Sequence, residues 1–135
     1  MSRTVFFGSA SAEFKRTHRV VLAAQTKAIE FLKSSIINHK SITGKQIDAV
    51  ARNFIKSNGY PNIIHSVGHG VGIEVHESPH LSPHSIDKIE QGMVFSVEPG
   101  IYKPSFGGVR IEDLVLVTKN GAELLSKAKR EIIEI

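Results

Sequence analysis

Two stretches of this chain carry apolar residues at helical spacing, and two carry them as strand-like runs. From Ala12 to Ser34, Phe14, Val21, Ala24, Ala28 and Phe31 recur on a helical period, and Ser11 offers the hydroxyl an N-cap needs. The second pattern is sharper. Thr43-Gly44-Lys45-Gln46 reads as a capping box, and Ile47, Val50, Ala51, Phe54 and Ile55 then form one apolar face. Gly59 is a natural stop, and Pro61 prevents resumption. The runs Met93–Glu98 and Val109–Thr118 predict strands, with a short strand over Arg3–Phe7. Pro99–Gly108 reads as a connection, Asn120-Gly121 as a hairpin turn, and Ala122–Ser126 as the returning strand. Between Pro61 and Pro83, glycine, histidine and proline predict loop with short strands. Helices followed by an antiparallel sheet make the class α+β, with one domain expected over residues 1–135.

Composition narrows the chemistry. The 135 residues are 41% hydrophobic and 22% charged, which suits a chain with a real core. No apolar run reaches membrane-spanning length, and no partner role for a membrane is expected. The net charge of +4 is scattered apart from Lys127, Lys129 and Arg130, so no nucleic-acid groove is expected. Cysteine is absent, which fits a reducing, cytoplasmic setting and leaves histidine and carboxylate as the available metal ligands.

Glu98 and Glu112 stand out because they lie in runs that read as buried strands, where carboxylates are rare unless paired or metal-bound. Alternation places Arg110, Glu112, Leu114 and Leu116 on one face, and Val94, Ser96 and Glu98 on one face of the preceding strand. If those strands pair, the two acids approach, and a divalent cation between them would reverse their repulsion. Arg110 has two readings: an ion-pair partner of Glu98 or Glu112, or a hand for a substrate carboxylate or carbonyl. Asp113 points the other way and is not counted as a ligand. Upstream, His65, His69 and His76 fall within twelve residues, with Gly68, Gly70 and Gly72 among them. Extended backbone puts His65 and His69 on one side; a structural role and a metal or acid–base role both remain open. His18, His39, His80 and His84 read as solvated side chains without a role, and Glu74 and Glu77 as groups that orient their neighbours.

Three stretches together resemble the pita-bread metallopeptidases, which comprise methionine aminopeptidases, Xaa-Pro aminopeptidases and Xaa-Pro dipeptidases. They are His65–Gly72 continuing to Glu77, Gly92–Tyr102 with its Val97-Glu98-Pro99-Gly100, and Gly108–Asp113. The resemblance implies two helices packed on a curved antiparallel sheet, similar to the C-terminal half of that fold. It implies metal ligands at His69, Glu98 and Glu112, and catalytic roles for His76, Glu98, His65 and Arg110. His76 resembles the histidine that contacts substrate, Glu98 the proton acceptor, and His65 and Arg110 residues of the proline-specific branch. The implied cofactor is a divalent metal (manganese, cobalt or zinc), and the implied substrate is a peptide with proline at its second position.

The family's dinuclear site also uses two aspartates, and these have no counterpart here. Met1-Ser2-Arg3-Thr4 resembles the segment that directly follows one of them. The resemblance therefore implies an incomplete dinuclear site, weak binding of one ion, and little peptidase activity from the isolated chain. It further implies a homo-oligomer, or a second chain that supplies the other half. The alternative expectation is a catalytically inactive metal-binding or interaction fragment.

Overall fold

The computed structural model describes residues 1–135. Two helices, α1 (Ala12–Ile37) and α2 (Gly44–Ser57), precede most of the sheet. The strands are β1 (Val5–Phe6), β2 (Gly68–Gly70), β3 (Glu77–Leu81), β4 (Val94–Val97), β5 (Gly100–Lys103), β6 (Gly107–Arg110), β7 (Asp113–Thr118), β8 (Gly121–Leu124) and β9 (Ile133–Glu134). A five-stranded antiparallel sheet runs β3-β2-β4-β7-β8, flanked by a β5–β6 hairpin and a parallel β1–β9 pair. The α+β expectation holds.

Both helices begin where the sequence says. Ser11 accepts the Phe14 amide, and the Thr43 amide donates to Gln46 Oε1 at 2.8 Å, half of the capping box. α1 continues three residues past the expected end, to Ile37. Gly59, at φ +82°, follows α2 in the left-handed region that glycine adopts without strain. α1 packs on β4, β5, β6 and β8, and α2 packs on α1 and β3. Val21, Ala24, Ala28 and Leu32 from α1 meet Phe95, Val97, Val115 and Val117 in one buried cluster. Each of those four valines, like Leu32, contributes about 1.5–3 kcal/mol by leaving water.

Three expectations are corrected. The run Val109–Thr118 is two strands, not one, because the chain breaks at Ile111-Glu112. The Glu112 backbone pairs with Ser2 in both directions, N–H to O at 3.1 Å and O from N–H at 3.3 Å. Opposite the break stands Pro99, which has no N–H to give a ladder. Pro99–Gly108 is not a simple connection; most of it forms β5 and the start of β6, paired Gly100↔Arg110 through Lys103↔Gly107. The β7–β8 loop is Lys119-Asn120, with Thr118 opposite Gly121, one residue earlier than expected. Alternation survives the break: Val109, Ile111, Asp113, Val115 and Val117 are buried, and Arg110, Glu112, Leu114 and Leu116 are not.

His18 is a fourth correction. It is 4% exposed on the core side of α1, not solvated. Burial disfavours its charged form and lowers its pKa, against a smaller upward pull from Glu131.

Candidate metal centre

β2 carries the central histidine through a very narrow space. A Cβ on Gly68 would lie 1.9 Å from the Ser96 carbonyl oxygen, and one on Gly70 would lie 2.2 Å from that of Ser78. Only glycine lets β2 pass between β3 and β4 here. This threading sets His69 beside β4. The Ser96 hydroxyl accepts the His69 amide at 3.0 Å and donates to Glu98 Oε1 at 3.0 Å. The Glu98 amide donates to the Val67 carbonyl at 2.7 Å, which fixes the end of β4 against the start of β2.

His69 Nδ1 lies 3.0 Å from the Gly70 carbonyl. A carbonyl only accepts, so in the neutral ring Nδ1 holds the proton and Nε2 presents a lone pair. That lone pair faces Glu98 Oε1 at 3.1 Å. Two acceptors so placed repel unless a proton or a metal ion lies against both. That separation would leave both atoms able to contact one divalent ion. A backbone carbonyl fixing the other ring nitrogen is also how metal-binding histidines are oriented. The His69–Glu98 pair therefore fits a divalent ion.

Glu112 fits less well. It borders the same cleft as His69, His76, Glu98 and Arg110, but its carboxylate is engaged elsewhere. Oε1 accepts from the Met1 α-ammonium at 3.0 Å, and Oε2 accepts from the Ser2 hydroxyl. Burial raises its pKa, but these hydrogen bonds and the charges of the ammonium and Arg110 outweigh that, and the net shift is downward. No three His, Asp or Glu side chains converge as a finished ligand group. Of the three expected ligands, His69 and Glu98 lie side by side, and the Glu112 carboxylate, on the same cleft, accepts from Ser2 instead of turning to them.

The other expected residues gather around this pair. The His76 ring lies 4.2 Å from the His69 ring, centre to centre. Arg110 Nε is 4.0 Å from Glu98 Oε2, and its Nη2 donates to the Ser2 hydroxyl at 3.2 Å. His65 faces the same cleft, with Nδ1 2.7 Å from the Ser66 carbonyl and Nε2 2.9 Å from the Tyr102 hydroxyl. In the neutral ring Tyr102 is thus the donor to His65. Burial raises the Tyr102 pKa, although nearby Arg110 works against it. Asp113 points away from the cleft and is fully buried, 2.6 Å from Arg3 Nη2 and 4.0 Å from Arg130 Nε.

Sequence reasoning did not single out Tyr102, Ser96, Asp48 or Arg52. Arg52 grips Asp48 through two hydrogen bonds of 2.7 Å and donates to the carbonyls of Ile63 and His65, which pins the loop ahead of β2 to α2. The i, i+4 spacing of Asp48 and Arg52 was the available signal. His80 bonds Asp87 at the cleft edge, and His84 is exposed.

The chain is 46% identical to an Xaa-Pro dipeptidase of Pyrococcus horikoshii and 44% identical to one of Pyrococcus furiosus, over 134 residues in each case. These alignments cover 98% of the chain and 36–37% of the relatives, so the chain spans about a third of their length. Among solved structures, an X-Pro aminopeptidase of Thermotoga maritima superimposes with a TM-score of 0.89 at 40% identity, covering 98% of this chain and 36% of that one. A methionine aminopeptidase of Rickettsia prowazekii, 22% identical with a TM-score of 0.68 over 87% of this chain and 54% of its own, shares the fold alone. The architecture is that of the pita-bread peptidases. The sequence profile of Metallopeptidase family M24 matches residues 1–119, and the chain belongs to that family.

Proposed function

We propose that this chain provides part of the catalytic cleft of a metal-dependent peptidase that cleaves the bond before proline. The reading is supported above all by the lone pair of His69 Nε2 facing Glu98 Oε1 at 3.1 Å. Similarity to Xaa-Pro dipeptidases supplies the substrate class. His69 and Glu98 would hold a divalent ion, with Glu112 joining once released from Ser2. Manganese, cobalt and zinc all suit imidazole and carboxylate. The ion, when bound, lowers the pKa of a coordinated water and polarises the scissile carbonyl.

The chain's own groups then divide the work. Glu98 Oε2, free of the Ser96 hydrogen bond, takes the proton of the attacking water. His76 donates to the substrate carbonyl oxygen, and Arg110 orients the substrate through its carboxylate or carbonyl. His65, oriented by the Ser66 carbonyl and Tyr102, lines the place for the proline ring. Because only two ligands converge, the 135 residues alone hold one ion weakly and turn over slowly. Further ligands come from residues outside these 135, on the same polypeptide or on another chain.

The test is hydrolysis of Xaa-Pro dipeptides with added manganese. The pure chain should give little turnover, and the same residues joined or mixed with the remaining length of a relative should give Glu98-dependent turnover. Rapid turnover by the pure chain would refute the weak-site reading. No Glu98-dependent turnover in either form would refute the peptidase reading.

A further inference from the structure

Gln25 is the one fully buried amide on the core face of α1, in a helix whose other deep contacts are mainly apolar. Its Nε2 donates to the Val97 carbonyl at 2.9 Å and to the Ile111 carbonyl at 3.2 Å. These are the residues immediately before Glu98 and Glu112. They lie where the β4–β7 ladder stops at Val97↔Asp113 and the β5–β6 ladder starts at Gly100↔Arg110. At this gap the sheet no longer ties the two acid-bearing segments together, and the amide of Gln25 bridges them instead. Its Oε1 is buried without a partner. An apolar side chain of similar volume would fill the space without leaving that oxygen unpaired, so packing alone does not account for the amide.

We propose that Gln25 is a positioning residue that clamps the backbone ahead of Glu98 and Glu112 and so sets the separation of the two carboxylates across the cleft. It touches neither carboxylate and acts only through the strands. The inference rests on the proposed metal site for its purpose, but the clamp itself is testable without metal.

The experiment compares wild type, Gln25→Met and Leu32→Ala. Leu32 is equally buried on the same helix and makes no hydrogen bond to either segment. Carboxyl ¹³C signals of Glu98 and Glu112 are recorded without metal, and Mn²⁺ binding is then measured by calorimetry. The clamp predicts shifted carboxyl signals and about tenfold or more weaker Mn²⁺ binding in Gln25→Met, as for other groups that orient metal ligands. Leu32→Ala should lose stability but keep both properties. Unshifted signals with wild-type affinity in Gln25→Met overturn the inference, as does an equal change in Leu32→Ala. If wild type binds no Mn²⁺, the metal reading fails, and the metal-free carboxyl signals alone decide the clamp. If Gln25→Met does not fold, the Gln25 side-chain amide signals of wild type decide it: they should shift as Zn²⁺ is added, and signals that stay still overturn it.

Discussion

Glu112 and Asp113 are neighbours in the chain, yet their carboxylates end on opposite sides of the sheet, Glu112 at the cleft and Asp113 in the interior. Asp113 is sealed in the interior against Arg3, with Arg130 beyond. Arg3 is itself spent on the carbonyls of Ser2, Glu112, Ala128 and Lys129, so this side is a closed, fixed ion pair. On the cleft side, Glu98 meets His69 Nε2 at 3.1 Å and a serine hydroxyl, and the nearest guanidinium atom is 4.0 Å away. The fixed pair binds strand to tail, whereas Glu98 on the cleft side has no cation closer than that guanidinium.

The difference can be attacked from both sides. Asp113→Asn should produce the largest change, a loss of about 3 kcal/mol or more in urea unfolding, because it leaves Arg3 without its buried partner. The folded fraction should bind Mn²⁺ as wild type does. Glu98→Gln should do the reverse: at least about tenfold weaker Mn²⁺ binding, equal to about 1.4 kcal/mol, with unfolding stability near wild type. If the two variants exchange these effects, the division between the faces is wrong. Ser2→Ala sharpens it further. Removing a hydrogen bond of about 1 kcal/mol that holds Glu112 away should strengthen Mn²⁺ binding about fivefold, read by the same titration.

The smallest effect concerns the core. Folding favours the neutral His18 ring, so its folded pKa lies below 6.5. Between those values the unfolded chain binds more protons, and stability rises with pH; above 6.5 the contribution is constant. The melting temperature should therefore fall as pH drops through about 6.5, and His18→Phe should flatten that part of the profile. A slope unchanged in His18→Phe would place the titration elsewhere.

Much of this was legible in the sequence where one rule acted alone. The capping box at Thr43 and the serine cap at Ser11 are local signals that led to the observed helices, and the alternation from Val109 to Val117 led to the observed burial pattern though not to the strand count. The break at Glu112 was not legible, because its backbone partner, Ser2, lies 110 residues away and pairing of that range leaves no local trace. His18 was misjudged for a related reason. A polar side chain at an apolar position of a helix reads as solvated until the sheet beneath it is known. Alternation and strand pairing brought only Glu98, Glu112 and Arg110 together, and His69 was tied to them by the family resemblance alone. The engagement of Glu112 by Ser2 and the bridging role of Gln25 depend on contacts between distant segments, which spacing does not encode.

The central claim is that His69 Nε2 and Glu98 Oε1 are paired ligand atoms rather than a plain hydrogen bond. The ¹⁵N signals of the His69 ring test it directly during a Zn²⁺ titration near neutral pH. A neutral ring protonated on Nδ1, whose Nε2 signal moves as one equivalent of zinc is added, is the predicted result. A ring protonated on both nitrogens that zinc leaves unmoved would make the contact an ordinary ion pair and contradict the claim.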